Sequence, residues 1–172
     1  LSRGDLGVVS GKNKPIITEK AERVIAEVFD TEACMLVRGA GSGSIRMGLH
    51  AILHPGDSIL VHKAPIYNTT KTSLDMMGIR IVEADYHNQD EIINVIKENP
   101  QIKAALVQYT RQSPQDHYDM EEVIKAIKSE HELTVLTDDN YAALKVSKIG
   151  VQCGADLSCF SSFKLLGPEG VG

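Results

Sequence analysis

No stretch of the chain approaches the ~18 consecutive apolar residues that cross a bilayer, and the opening LSRGDLG carries no signal-peptide pattern. No membrane partner is expected on that ground; basic runs are missing too, and the net charge of −5 argues against a nucleic-acid surface as the main business. Cysteine is scarce: Cys34, Cys153 and Cys159 are odd in number and lack metal-ligand spacing. They read as reduced thiols, which makes the cytoplasm the expected location. GAGSGS (39–44) has no Lys-Ser/Thr after it, so it is not a Walker loop, and its glycines run GxGxG rather than GxGxxG. His50 and His54 stand at i and i+4, but Ala51, Ile52 and Leu53 between them provide no catalytic glutamate. They read as helix-end histidines. Asp138 and Asp139 have no third carboxylate or histidine at ligand spacing, so no metal is expected.

What is present is ordinary globular material: 172 residues, 24% charged and 42% hydrophobic, enough for one compact core. Thr18 is expected to cap a helix with apolar positions Ala21, Val24, Ile25, Val28 and Phe29. Cys34 to Val37 reads as a short buried strand, after which GAGSGS opens a helix with Ile45, Leu49, Ile52 and Leu53 on one face. HPGD stops that helix, because Pro55 and Gly56 cannot continue it. Then strands SILVH, IRIVEA, KAALVQ, LTVLT and LSCFS follow, the first four separated by helices near 69–77, 89–98 and 120–130. Strands alternating with helices mean parallel strands joined by crossovers, and strands that are continuous apolar runs mean helices on both faces. The expected class is α/β: a three-layer α/β/α domain around a mostly parallel open sheet.

Ligands of such sheets collect at the carboxyl ends of the strands, and Gly41, Tyr67, Gln108, Asp138 and Ser161 all fall just past predicted strand ends. Lys164 lies just beyond an apolar stretch, among serines and glycines in SSFKLLGPEGVG. That is a poor setting for a solvated charge and a good one for an imine with an aldehyde. Asp138, ending an earlier strand in TVLTDDNYA, is the carboxylate that a pyridinium nitrogen would need. The two together suggest pyridoxal phosphate (PLP). GAGSGS is compatible with a structural turn or with an anion held by helix-start N–H groups, with Ser42 adding a hydroxyl. Asp138 and Asp139 could instead cap a turn, Tyr67 is either core or a ring lying flat on a cofactor, and Tyr141 could donate its hydroxyl to the phenolic oxygen of that cofactor. A non-catalytic nucleotide-binding α/β module is the rival reading, and it gives Lys164 no role.

These segments resemble fold type I PLP enzymes, in the branch shared by class V aminotransferases, cysteine desulfurases and selenocysteine-synthase-like proteins. The likeness is strongest to a bacterial aminotransferase-like group with similar GDLG, GAGTGAIR, LVHDAPVY, TRQQPQD, TDDNYA and SCFKLFGPEGVG segments, and it covers nearly the whole chain. It implies Lys164 as the Schiff-base lysine, Asp138 as the pyridinium partner and Tyr141 on the phenolic oxygen. It also implies Tyr67 stacked on the ring, and Gly41, Ser42, Gly43 and Ser161 at the phosphate. The expected function is a PLP-dependent, aminotransferase-like enzyme acting on an amino acid, with a lyase as the alternative and a homodimer as the assembly. Two features depart from the family: Phe163 stands where cysteine desulfurases carry histidine, and the carboxylate-binding arginine normally comes from a C-terminal domain. Arg111, in YTRQSPQ, fits either an active-site or a surface role.

The whole of 1–172 is expected to be the PLP-binding large domain, the middle of a longer protein without its small domain and last large-domain strands. In fold type I sheets the strand after the GPEGVG turn runs antiparallel between the strand ending in Ser161 and the first strand. It would begin after Gly172, leaving a gap beside Cys34 to Val37.

Overall fold

The computed structural model describes residues 7–109 and 116–172, arranged as two compact units, Leu1–Leu36 and Val37–Gly172. In the first, β1 (Val8–Val9) pairs antiparallel with β2 (Lys14–Pro15), and α1 (Ile16–Val28) follows directly. The expected Thr18 cap is therefore wrong. Pro15 occupies the capping position with φ −57°, already close to the angle the helix needs, and Thr18 lies inside the first turn. The expected apolar stripe is also only partly buried. Phe29 and Ala26 are enclosed, whereas Val24 and Val28 are 47% and 55% exposed. Glu22 takes a buried place instead, because its carboxylate accepts hydrogen bonds from the Lys14 ammonium and from the Leu36 N–H at 2.8 Å. That contact also explains why Cys34 to Val37 forms no strand: Leu36 is tied to a side chain rather than to a ladder.

The second unit runs α2 (Ala40–Ile52), β3 (Ser58–His62), α3 (Asn68–Met77), β4 (Arg80–Ala84) and α4 (Gln89–Glu98). It continues with β5 (Ile102–Gln108), α5 (Met120–Lys128), β6 (Thr134–Asp138) and β7 (Leu157–Cys159). The five strands from β3 onward form one parallel sheet in the order β4-β3-β5-β6-β7. Local signals set the helix ends. Asn88 and Asp119 cap α4 and α5 by accepting from the N–H groups of Glu91 and Glu122, and Gly78 ends α3 with φ 69°. Alternate residues of each strand face opposite layers. Leu60, Ala105, Val107 and Val135 pack with Ile92 and Ile96 of α4 and Val123, Ile124 and Ile127 of α5. Ile59, Val61, Ala104, Leu106 and Leu136 pack with Ile45 and Leu49 of α2 and Leu74 of α3. This is the expected three-layer α/β arrangement, with helices on both faces of a parallel sheet.

The chain beyond Lys164 turns back into this unit. The carbonyl of Val171 accepts from Ser162 N–H at 3.0 Å, Val37 and Gly172 exchange backbone hydrogen bonds at 2.9 and 3.0 Å, and Arg38 bridges Val171 antiparallel. Val171 thus stands between the segment after β7 and the start of the unit, as the resemblance implied. Antiparallel pairing begins before Gly172 rather than after it, so Val37 has a neighbour and no gap lies beside it.

Two buried polar side chains hold the sheet where its strands separate. Register between β3 and β5 shifts at Ser58/Ile59 and the pairing runs out at Leu60↔Ala105. The buried Tyr86 hydroxyl enters there, hydrogen-bonding the carbonyls of Leu60 at 3.3 Å and Leu106 at 3.1 Å. Just past β6, Asp139 is fully enclosed. Its Oδ2 accepts from the Thr137 hydroxyl (2.8 Å) and from Gly150 N–H (3.1 Å), while its buried Oδ1 has no partner among the described residues. Burial pushes this carboxyl above its ordinary range, against the hydrogen bonds that favour its charged form.

Tyr86→Phe leaves strand carbonyls unsatisfied and is expected to cost about 1–3 kcal/mol in urea unfolding; an unchanged midpoint would mean that the hydroxyl contributes nothing. The raised Asp139 favours the protonated folded state. Its contribution to stability is complete below the unfolded carboxyl value of ~3.9 and disappears as pH rises through the higher folded value. Asp139→Asn is therefore expected to be more stable than the parent at neutral pH, the advantage vanishing in acid, as read by urea unfolding across that range.

Candidate active site

Because β5, β6 and β7 are in parallel register, Gln108, Asp138 and Cys159 stand side by side on one rung at the carboxyl edge of the sheet. Above this edge opens a cleft of about 650 Å³. The start of α2 forms one wall. Gly39, with φ 99°, turns the chain sharply into the helix, and the N–H groups of Gly39 and Ala40 donate to the Gly170 carbonyl at 2.8 and 3.1 Å. The next two amides, of Gly41 and Ser42, have no protein acceptor among the described residues, and both residues line the cleft. Unpaired N–H groups at a helix start attract an anion. Gly43 is placed differently: its N–H is taken by the Gly39 carbonyl at 2.8 Å, it packs against the Arg38 carbonyl, and it does not line the cleft. The Ser42 hydroxyl lies 3.0 Å from that of Thr69, at the start of α3.

Tyr67, immediately before α3, lines the same cleft and is half exposed, so it is not ordinary core. Buried Ser161 also lines it, and its carbonyl accepts from Lys164 N–H as a 3-10 turn (Ser162–Leu165) begins. That turn carries the Lys164 side chain into the cleft, where the amine donates to the Tyr141 hydroxyl at 2.8 Å and sits 4.2 Å from the Tyr141 ring centre.

The register of the paired acids is as expected from the sequence. Asp138 lines the cleft, while Asp139 points away into its buried clamp. Burial holds the Asp138 carboxyl above its ordinary range, opposed by side-chain and backbone hydrogen bonds from Asn140. Both Asn140 bonds, at 2.7 and 3.2 Å, go to Oδ1. Seven of the eight expected site residues, Gly41, Ser42, Tyr67, Asp138, Tyr141, Ser161 and Lys164, therefore line one cleft. Arg111 lies outside the described residues. Phe163 lines the cleft as well, and so do Asn140 and Glu169, which the sequence pattern did not mark. For Asn140 a signal was available: an amide two residues after an acid in a turn is placed to bond back to it.

Beyond Gln108, His62, Asp85 and His87 approach one another closely enough to suggest a metal site. The hydrogen bonds argue otherwise. Tyr86 N–H donates to His62 Nδ1 at 3.0 Å, which leaves the ring proton on Nε2, and Nε2 faces the buried Asp116 carboxylate at 3.0 Å. His87 bridges the same Asp116 oxygen and Asp85, whose carboxyl it holds below the ordinary range. His62 thus offers no free lone pair, and the cluster is a hydrogen-bonded brace beside the cleft.

The cleft's chemistry suits a phosphorylated pyridine aldehyde: unpaired helix-start amides for the phosphate, an acid with one uncommitted oxygen for the ring nitrogen, and an amine for the aldehyde. Comparison with known proteins agrees. The uncharacterised protein YhfS of Escherichia coli K12 is 47% identical over all 172 residues, and this chain spans 47% of that protein's length. A crystal structure described as the pyridoxal-5'-phosphate dependent protein YhfS from Escherichia coli superposes with a TM-score of 0.93 at 46% identity, over 100% of this chain and 47% of that one. A putative cystathionine beta-lyase involved in aluminium resistance from Clostridium acetobutylicum shares the fold, with a TM-score of 0.73 at 23% identity over 93% of this chain and 43% of that one. The aminotransferase branch expected from the sequence finds no support in these relatives. The profile of the family described as "Cys/Met metabolism PLP-dependent enzyme" matches residues 12–170, and the chain belongs to that family of PLP-dependent enzymes.

Proposed function

We propose that this chain forms the cofactor-binding large-domain part of a longer PLP-dependent lyase, which eliminates a leaving group from the side chain of a small amino acid. The observation that carries this reading is the meeting of Lys164, Asp138 and the free amides of Gly41 and Ser42 in one cleft. The lyase assignment, in place of transamination, draws on the Cys/Met family and on the lyase names of structural neighbours.

PLP, when bound, supplies an electron sink for the pair left at the substrate Cα. Gly41, Ser42 and Ser161 would hold its phosphate. Asp138 would hold the ring nitrogen protonated through the carboxylate oxygen that Asn140 leaves free. Tyr67 contributes an aromatic face. Lys164 would be the attachment residue and, when its amine is free, the base that takes the Cα proton, while the leaving group departs with the electron pair of its bond to the side chain. Its hydrogen bond to Tyr141 keeps that amine in the cleft. The same proposal includes a cytoplasmic homodimer; Leu144, Phe163 and Leu166 stand exposed on the segments that carry Tyr141 and Lys164, where a second subunit would cover them.

In the full-length protein, borohydride is expected to fix a pyridoxyl label on Lys164 alone, and Lys164→Ala to lose both the label and the near-visible absorbance while remaining folded. A label on another lysine sinks the assignment. Asp138→Asn is expected to lower turnover by about 10- to 150-fold, the equivalent of a charge-assisted contact of about 1.5–3 kcal/mol, with little effect on thermal unfolding. Amino acids bearing a sulfur leaving group on Cβ or Cγ should release ammonia and an oxo acid without any added amine acceptor; a strict need for an oxo-acid acceptor would restore transamination.

A further inference from the structure

We propose that Asn140 is a positioning residue, whose amide fixes the Asp138 carboxylate and whose seat beside Asp138 is the reason residue 41 has no side chain. The inference rests on the cofactor role proposed for Asp138, but its central test does not need the cofactor.

Asn140 follows β6 in the turn that leads to Tyr141, and it lines the cleft between the sheet edge and the start of α2. Its Nδ2 donates to Asp138 Oδ1 at 2.7 Å, and its backbone N–H donates to the same oxygen at 3.2 Å. Among the described residues Oδ2 receives nothing. One oxygen is thereby saturated from within the chain, which orients the carboxylate and leaves the other for a donor in the cleft. On its far side the amide lies against α2. A Cβ on Gly41 would stand 1.9 Å from Asn140 Oδ1 and 2.5 Å from Nδ2. Gly41 needs no left-handed backbone angle, so the constraint on it is space alone. The amide is the movable end of its side chain. A methyl at 41 would therefore push it off Asp138 rather than break the helix.

The electrostatics give the contact a consequence beyond shape. Burial opposes charge on Asp138, and hydrogen bonds from Asn140 are what offset it. The other charged or titratable groups facing this region are Asp139 next in the chain, Cys159 on the adjoining strand, and Tyr67, Tyr141, Lys164 and Glu169 around the cleft. Cys159 is pushed up to about 12 by burial and the two aspartates, so it stays neutral and adds no charge. An asparagine serving only as a turn former would leave the titration of Asp138 unmoved.

The test is a carbon-13 NMR titration of the Asp138 carboxyl in the full-length protein stripped of cofactor. Asn140→Ala is expected to move its midpoint to higher pH. Gly41→Ala, which leaves Asn140 in place, should move it the same way, and it reads the same contact if Asn140→Ala does not fold. Added to Asn140→Ala, the Gly41→Ala change should shift the midpoint no further, because both act through one hydrogen bond. An unmoved midpoint in Asn140→Ala overturns the proposal, and additive shifts overturn the link to Gly41. In parallel, PLP added to the parent and to Asn140→Ala should bind the variant about tenfold more weakly. A parent that takes up no PLP would refute the proposed function and leave the titration result standing.

Discussion

The cleft exists because three strands end level. Parallel pairing sets Gln108, Asp138 and Cys159 on one rung, and the next backbone bonds, Tyr109 N–H to the Asp138 carbonyl and Asp139 N–H to the Cys159 carbonyl, continue the ladder just past it. A slip of one residue in β6 would exchange every side chain between the two faces. Leu136 would leave the layer of α2, and Asp139 would take the place of Asp138 at the cleft. Register is thus the quantity on which both the core and the chemistry depend, and apolar burial on both faces of the sheet specifies it.

The adjacent acids show what that alternation accomplishes. Both are raised by burial, yet they sit in different surroundings. Asp139 is closed off between Thr137 and Gly150 and works as a structural clamp on the chain after β6. Asp138 keeps one side toward the cleft. Two residues of the same chemistry, one bond apart, are separated by the pleat into a fold-holding role and a ligand-facing one.

Much of this was legible in the sequence, for stated physical reasons. The alternation of apolar runs with helical periods located β3 through β7 and α2 through α5, since packing on both faces leaves that pattern whatever the loops do. The stop at Pro55 and Gly56 acts within a few residues and could be read locally. Lys164, Asp138 and Tyr141 stood out as chemically expensive residues beside apolar strands. What stayed hidden depends on distant partners. Glu22 is buried because Lys14 and the Leu36 amide reach it, and nothing in the spacing of α1 says so. Whether Cys34 to Val37 becomes a strand depends on what lies alongside. Gly43 matched a phosphate-loop pattern, but its amide was already taken by the helix. The choice between lyase and aminotransferase was not legible either, because a lysine for the aldehyde and a carboxylate for the ring nitrogen suit both reactions.

The turn that carries Lys164 and the start of α2 are bound to each other. The Ser162 hydroxyl bonds the Pro168 and Val171 carbonyls, Gly167 N–H returns to the Ser162 carbonyl, and the Gly170 carbonyl receives the amides of Gly39 and Ala40. The amine and the unpaired amides of Gly41 and Ser42 are therefore two jaws of one caliper, set by the length of the segment from 162 to 170. A phosphorylated aldehyde with a different span between its two ends could engage either jaw but not both. Lengthening that segment by even one residue would reset the gauge while leaving every side chain that lines the cleft chemically unchanged.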